Sequence, residues 1–68
     1  MAKVGNWQRA VDAFETVTAA DPSDASSFFS LAVAYSKVGR MGDSKAALQK
    51  TLEADPGHAK AKAQLAKM

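Results

Sequence analysis

The sequence predicts an all-α fold in which antiparallel helix pairs stack on one another. Apolar residues recur at steps of three and four along most of the chain, and no two-residue alternation typical of strands competes with them. Two similar breaks, "AADPSD" at residues 19–24 and "EADPGH" at residues 53–58, interrupt this pattern. Because their prolines are 34 residues apart, the breaks indicate a repeat made of two helices.

The first helix is predicted over residues 3–20 and the second over residues 24–38. Pro22 cannot continue the first helix, and Asp24 offers a side-chain acceptor to the open amides of the second. Gly39 then ends the second helix, because glycine accepts a positive φ without strain. The side chains expected to face inward are Val4, Trp7, Val11, Phe14 and Thr18, followed by Phe28, Leu31, Ala32, Tyr35 and Val38.

The third helix is predicted over residues 41–54, and the fourth over residues 58–67. Met41, Ser44 and Leu48 are expected to face inward, followed by either Thr51 or Leu52. The fourth segment is rich in alanine and lysine, which form helices well, but it is only weakly apolar. We expect all four helices to form a single domain over residues 1–68.

The composition limits the classes of function that the chain can have. Cysteine is absent, so neither a disulfide framework nor a thiolate metal site is possible. No apolar stretch is long enough for a signal peptide or a membrane span, and we therefore expect a cytoplasmic protein without a membrane partner. The net charge is +2, divided into −2 over residues 1–34 and +4 over residues 35–68. The simplest interpretation is a solvated, lysine-rich helical surface.

No catalytic, cofactor or metal site is expected. His58 is the only histidine, and it is interpreted as a surface residue of a turn that could start the fourth helix. The acidic residues lack the spacing of a cation-binding loop, and the four glycines are isolated. Nucleic acid is not the expected partner, because the lysines near the C-terminus have no aromatic residues among them.

The 34-residue offset relates turn residues and core residues alike. It pairs Gly5 with Gly39, Asp21 with Asp55, and also Trp7 with Met41, Ala10 with Ser44 and Phe14 with Leu48. In these residues the chain resembles the tetratricopeptide repeat family, with one full unit at residues 25–58. Residues 5–22 resemble the second half of such a unit, and the last helix resembles a cap. The resemblance implies a stacked α-α superhelix that binds proteins and has no catalytic activity.

The resemblance also implies a concave groove lined by the first helix of each pair, in which a peptide or helix binds. The corresponding residues here are Ser26, Phe29, Val33, Lys37, Lys60, Gln64 and Lys67. Phe29 and Val33 replace polar members of the family's carboxylate clamp, so we expect an apolar partner segment that carries acidic residues. Alternatively, Phe29 and Val33 only complete the core.

A second hypothesis is self-association as a homodimer or larger assembly. The first helix has an apolar face that no preceding helix is predicted to cover, and exposed large apolar groups often mark interaction sites. Its residues are Trp7, Ala10, Phe14 and Val17. Two alternatives stay open: a covering helix could belong to a longer parent chain, or Trp7 could simply be partly wet.

Overall fold

The computed structural model describes residues 2–68, with side chains described from residue 6 onward. These residues form four helices in chain order: α1 (Ala2–Ala20), α2 (Ala25–Lys37), α3 (Met41–Ala54) and α4 (Ala59–Lys67). Helix α2 packs against both α1 and α3, and α3 also packs against α4. The all-α fold of stacked helix pairs predicted from the sequence is therefore confirmed.

The molecule is a slab whose Cα atoms extend over 35 × 28 × 15 Å. The Cα atoms of one helix span only ~5 Å, and its side chains widen it to ~10–12 Å, so the slab is about two helices thick. Most helices therefore have solvent on at least one side. This shape explains why many large apolar side chains are only half-buried.

The two Asp-Pro turns have the same hydrogen bonds. The side chain of Asp21 accepts a hydrogen bond from the Ser23 amide, as that of Asp55 does from the Gly57 amide, both at 3.2 Å. The carbonyl of each aspartate also accepts from the amide three residues later. Each turn thus satisfies polar groups that the helix end leaves open, which explains why the pattern recurs.

The turn between α2 and α3 depends on Gly39, whose φ is +83°. The amide of Arg40 donates to the Tyr35 carbonyl at 2.9 Å, and the Gly39 amide donates to the Ser36 carbonyl at 3.2 Å. This is a Schellman arrangement, which requires a left-handed residue at that position. Gly5, its partner in the repeat, lies inside α1 instead, because that helix begins at Ala2.

The core lies where α2 meets its two neighbours. Its buried apolar side chains are Val11, Leu31, Ala32, Ala34, Tyr35, Ala47, Leu48 and Ala61. Several larger side chains, including Trp7, Phe14, Phe28 and Val38, are half-buried against this cluster. The side chain of Val4, which was expected to face inward, lies outside the described residues.

The inward face of α3 differs from the prediction at its first residue. Met41 is 51% exposed, because it is the first residue of α3 and has no helical turn before it to continue the packed face. The prediction that it faces inward is wrong. Further along, Thr51 is fully buried whereas Leu52 is only half-buried. The Thr51 hydroxyl donates to the Ala47 carbonyl at 2.9 Å, so its burial leaves no polar group without a partner.

Candidate partner-binding surface

A groove of about 320 Å³ lies between α2, α3 and α4. Four of the seven residues predicted to bind a partner line it: Val33 and Lys37 from α2, and Gln64 and Lys67 from α4. Residues three or four positions apart lie on the same face of a helix, so each helix presents its pair in one direction. The structure therefore brings these four side chains together around one depression, which we call the α2–α4 groove.

The base of the α2–α4 groove is held in place by a buried hydrogen bond. The hydroxyl of Ser44 donates to the carbonyl of Ala32 at 2.8 Å and so joins α3 to α2. Leu48, which is 1% exposed, lies beside this contact in the lining. Two exposed methionines, Met41 and Met68, also line the groove, and their flexible side chains adapt readily to apolar partners.

A second recess, of about 260 Å³, lies between α1 and α2. It is lined by Trp7 and Phe14 from α1 and by Phe29, Ser30 and Val33 from α2. We call it the aromatic recess. The sequence-based prediction assigned Trp7 and Phe14 to a different surface from Phe29 and Val33, whereas the structure places all four around one depression. Val33 lines both depressions, so the groove and the recess adjoin each other.

Two further contacts border the aromatic recess. The Lys37 ammonium lies 5.8 Å from the centre of the Trp7 ring, within the range of a cation–π contact. The Phe29 and His58 rings lie 4.9 Å apart between centroids and are tilted by 33°. His58 is half-buried, and its Nδ1 accepts a hydrogen bond from the Ala61 amide at 3.1 Å. It is thus the N-cap of α4 as well as a neighbour of the candidate surface.

His58 was interpreted from the sequence as a surface histidine, and that interpretation missed the stacking on Phe29. A signal was available in the repeat, because His58 stands 34 residues after Asp24. Asp24 caps α2 by accepting from the Ser27 amide at 3.2 Å, and the hydroxyl of Ser27 bonds to the same carboxylate. These hydrogen bonds lower the pKa of Asp24. The cap is therefore repeated with a different side chain.

The remaining predicted site residues lie outside both depressions. Ser26 and Lys60 are exposed and line neither the groove nor the recess. Ala10 is half-buried and Val17 is 42% exposed on α1, and they also lie outside the two linings. Two other recesses, of about 520 and 170 Å³, border Phe28 and contain none of the predicted site residues.

A polar cluster around Tyr35 joins neighbouring helices outside the two depressions. The Tyr35 hydroxyl donates to the Glu15 carboxylate of α1 at 2.5 Å. Burial, together with this negatively charged acceptor, raises the pKa of Tyr35 to about 12. The guanidinium carbon of Arg40 lies 4.7 Å from the centre of the Tyr35 ring, and its Nε is 2.8 Å from the Asp43 carboxylate. This hydrogen bond raises the pKa of Arg40.

Within the described part of the chain, no three acidic, histidine or cysteine side chains are grouped as metal ligands would be. In residues 2–68, no helix combines the length and the apolar character needed to cross a bilayer. The arrangement offers a groove of mixed polar and apolar lining, with lysines and a fixed base, beside a largely apolar recess. Such a surface can hold another polypeptide by burial and charge.

Comparison with protein families agrees with the stacked helix pairs and the repeated turns. The family described as "Tetratricopeptide repeat" matches residues 1–68, which is the whole sequence. The chain therefore belongs to the tetratricopeptide repeat family, whose members are typically non-catalytic modules for protein–protein interaction. Searches of curated proteins and of solved structures found no match.

Proposed function

We propose that the chain is a protein-interaction module that holds a peptide or helix of a partner protein in the α2–α4 groove. The observation that carries this proposal is the convergence of Val33, Lys37, Gln64 and Lys67 around one depression. The two helices that supply them are related by the 34-residue repeat, so the groove uses the same side of both. The cytoplasmic location expected from the sequence remains a prediction.

The chemistry of the groove favours an apolar segment that carries acidic residues. Val33, Met41 and Met68 offer apolar area, and Lys37 and Lys67 add positive charge to the same lining. Rim charges of this kind mainly determine which partner binds and how fast, whereas apolar burial supplies most of the affinity. An amphipathic helix with leucine on one side and glutamate at its edges fits both requirements.

The direct test is binding of a short fluorescent peptide in which leucine and phenylalanine alternate with glutamate, measured by anisotropy. Lys67→Glu should weaken binding about three- to tenfold, because it places a negative charge beside the acidic peptide. The matched control is Lys45→Glu on α3, since Lys45 is exposed and lies outside the groove lining. Equal affinities for the two variants, or equal binding of a peptide with lysine in place of glutamate, would contradict the proposal.

A substitution at Phe29 tests whether its ring contacts a partner or only completes the core. It is half-buried, so its ring has area left to contact a partner. We expect Phe29→Ser to weaken peptide binding and to change the melting temperature only slightly. A loss of about 3–5 kcal/mol in the free energy of unfolding would instead assign the ring to the core.

A second candidate function is self-association through the face of α1 that contains Trp7, Ala10, Phe14 and Val17. The observation that favours it is the 42% exposure of Val17 on the same helix as the half-buried rings of Trp7 and Phe14. Exposed apolar groups of this size often lie in protein interfaces. Trp7→Asp should reduce the molar mass measured by sedimentation equilibrium to that of a monomer, and an unchanged mass would exclude this face.

A further inference from the structure

The repeat shows which positions of α1 correspond to buried positions of α3. Four residues of α3 are at most 4% exposed, whereas their partners in α1 are half-buried or exposed. The pairs, with the α1 residue first, are Ala10 and Ser44, Ala13 and Ala47, Phe14 and Leu48, and Val17 and Thr51. Helix α2 covers this face of α3 and contacts it through the Ser44–Ala32 hydrogen bond. No helix within residues 2–68 covers the same face of α1 in that way.

The same comparison, applied to α4 and α2, shows a second open face, which corresponds to the face of α2 that packs on α3. The Leu31-Ala32 pair of α2, which is 5% and 1% exposed, recurs in α4 as Leu65-Ala66. Leu65 is only half-buried, and Ala66 is exposed. Helix α4 thus repeats the Leu-Ala pair with which α2 packs on α3, but none of the described residues covers this pair fully. By the repeat, the open face of α1 corresponds to the α3 side of the α2–α3 interface, and the open face of α4 corresponds to the α2 side.

We propose that α4 of one copy packs on α1 of a second copy and reproduces there the α2–α3 interface. This inference rests on self-association, the second candidate function, and names the surface that would cover α1. Ala66 of one copy would lie against Ala10 of the next, as Ala32 lies against Ser44. The α1 face of one copy would therefore be covered by α4 of another copy.

The charges at the two faces suit this pairing. Lys62 of α4 corresponds to Phe28 of α2, and Phe28 lines a recess together with Ala46 of α3. The α1 counterpart of Ala46 is Asp12, so Lys62 of one copy would approach Asp12 of the next. Lys62, which stands where α2 has Phe28, would thus have Asp12 of the next copy as an acidic neighbour. Exposed ion pairs of this kind contribute more to orientation than to affinity.

The symmetry of this contact distinguishes it from a dimer that joins two α1 faces. Because α4 and α1 are different surfaces, the contact is heterologous: after pairing, one copy still has an open α1 face and the other an open α4 face. Such contacts give open chains or closed rings, whereas a contact between two α1 faces stops at a dimer. The average mass should therefore rise past that of a dimer as the concentration increases.

Two single substitutions that each block one face provide the test. Ala13→Arg places a bulky cation on the open face of α1, and Ala66→Arg does the same on α4; both residues are exposed, so the fold should persist. Each variant alone should be monomeric in sedimentation velocity up to about 1 mM, with Kd raised about tenfold or more. An equimolar mixture should form a dimer, because each partner supplies the face that the other has lost.

The matched control is Ala19→Arg, an exposed residue of α1 whose repeat partner, Glu53, is also exposed. It should associate as the unmodified chain does, and circular dichroism should show unchanged helix content for all three variants. If Ala13→Arg alone abolishes association and Ala66→Arg does not, self-association stands but the pairing with α4 fails. If the unmodified chain is monomeric up to about 1 mM, both fail, while the α2–α4 groove is unaffected.

Discussion

Tyr35 contributes to stability through both its ring and its hydroxyl. The residue is 8% exposed and belongs to the core, and its hydroxyl donates to Glu15 of α1. A neutral phenol donates to a carboxylate, whereas a phenolate would be repelled by it. Burial and Glu15 therefore raise the pKa of Tyr35 from its ordinary value of 10.0 to about 12.

This raised pKa predicts how stability changes at alkaline pH. The contribution of neutral Tyr35 to the free energy of unfolding is fully present below the unfolded pKa near 10.0 and is lost as the pH rises through the folded pKa near 12. Tyr35→Phe should cost about 1–2 kcal/mol at pH 7, and the difference from the unmodified chain should shrink over that range. Urea unfolding at several pH values measures both quantities.

Glu15→Gln provides the control for this prediction, because it keeps an acceptor for the hydroxyl and removes the charge. Its stability should fall less steeply at alkaline pH than that of the unmodified chain. The other ionisable groups titrate in all three proteins, so the comparison isolates Tyr35. A difference between Tyr35→Phe and the unmodified chain that stays constant from pH 8 to 12 would contradict the account.

Aspartate should be able to replace His58 as the N-cap of α4, because Asp24 is the N-cap at the equivalent position of α2. His58→Ala removes the acceptor for the Ala61 amide and should cost about 1 kcal/mol, the usual cost of a lost N-cap. His58→Asp should recover most of that loss, since Asp24 makes the equivalent bond to Ser27. Thermal unfolding of the unmodified chain and the two variants measures these differences in stability. An aspartate variant no more stable than the alanine variant would contradict the prediction.

At the scale of the helices, the turn between α2 and α3 depends on one backbone conformation. Gly39 has a φ of +83°, whereas Gly42 lies in the first turn of α3 without a positive φ. An added Cβ would meet no atom within 4 Å at either position, so packing does not distinguish the two. The difference between them is conformational.

Alanine should therefore have opposite effects at these two glycines. Gly39→Ala should lower the free energy of unfolding by about 1 kcal/mol, because L-residues disfavour the left-handed region. Gly42→Ala should raise it by about 0.5–1 kcal/mol, because alanine restricts the unfolded chain and favours the helix. Urea unfolding measures both, and effects of the same sign would show that the turn does not require a positive φ.

The helices and turns could be predicted from the sequence, but the way in which the candidate surfaces meet could not. The two Asp-Pro turns are local features whose hydrogen bonds join residues two or three apart. The aromatic recess depends instead on how α1 crosses α2, which brings Trp7 and Phe14 beside Phe29. Periodicity assigns a residue to one face of a helix but does not say which faces meet. Met41 was misplaced for a related reason, since a position on the apolar side is buried only where another helix reaches it.

At the scale of the whole molecule, a slab of stacked helices leaves several apolar surfaces open to partners. The α2–α4 groove and the aromatic recess share Val33, so a bound segment could extend from one into the other. The open faces of α1 and α4 instead suit other helices. Peptide binding and assembly use largely different residues, and substitutions such as Lys67→Glu and Ala13→Arg should separate them.

The most direct test of the interaction module is an NMR titration of the ¹⁵N-labelled chain with the acidic, apolar peptide. We expect the largest amide shifts at Val33, Lys37, Gln64 and Lys67, with smaller ones at residues that line the aromatic recess. Lys67→Glu should reduce these shifts at equal peptide concentration. Shifts confined to the side of Phe28, or none at saturating peptide, would contradict the assignment of the α2–α4 groove as the partner site.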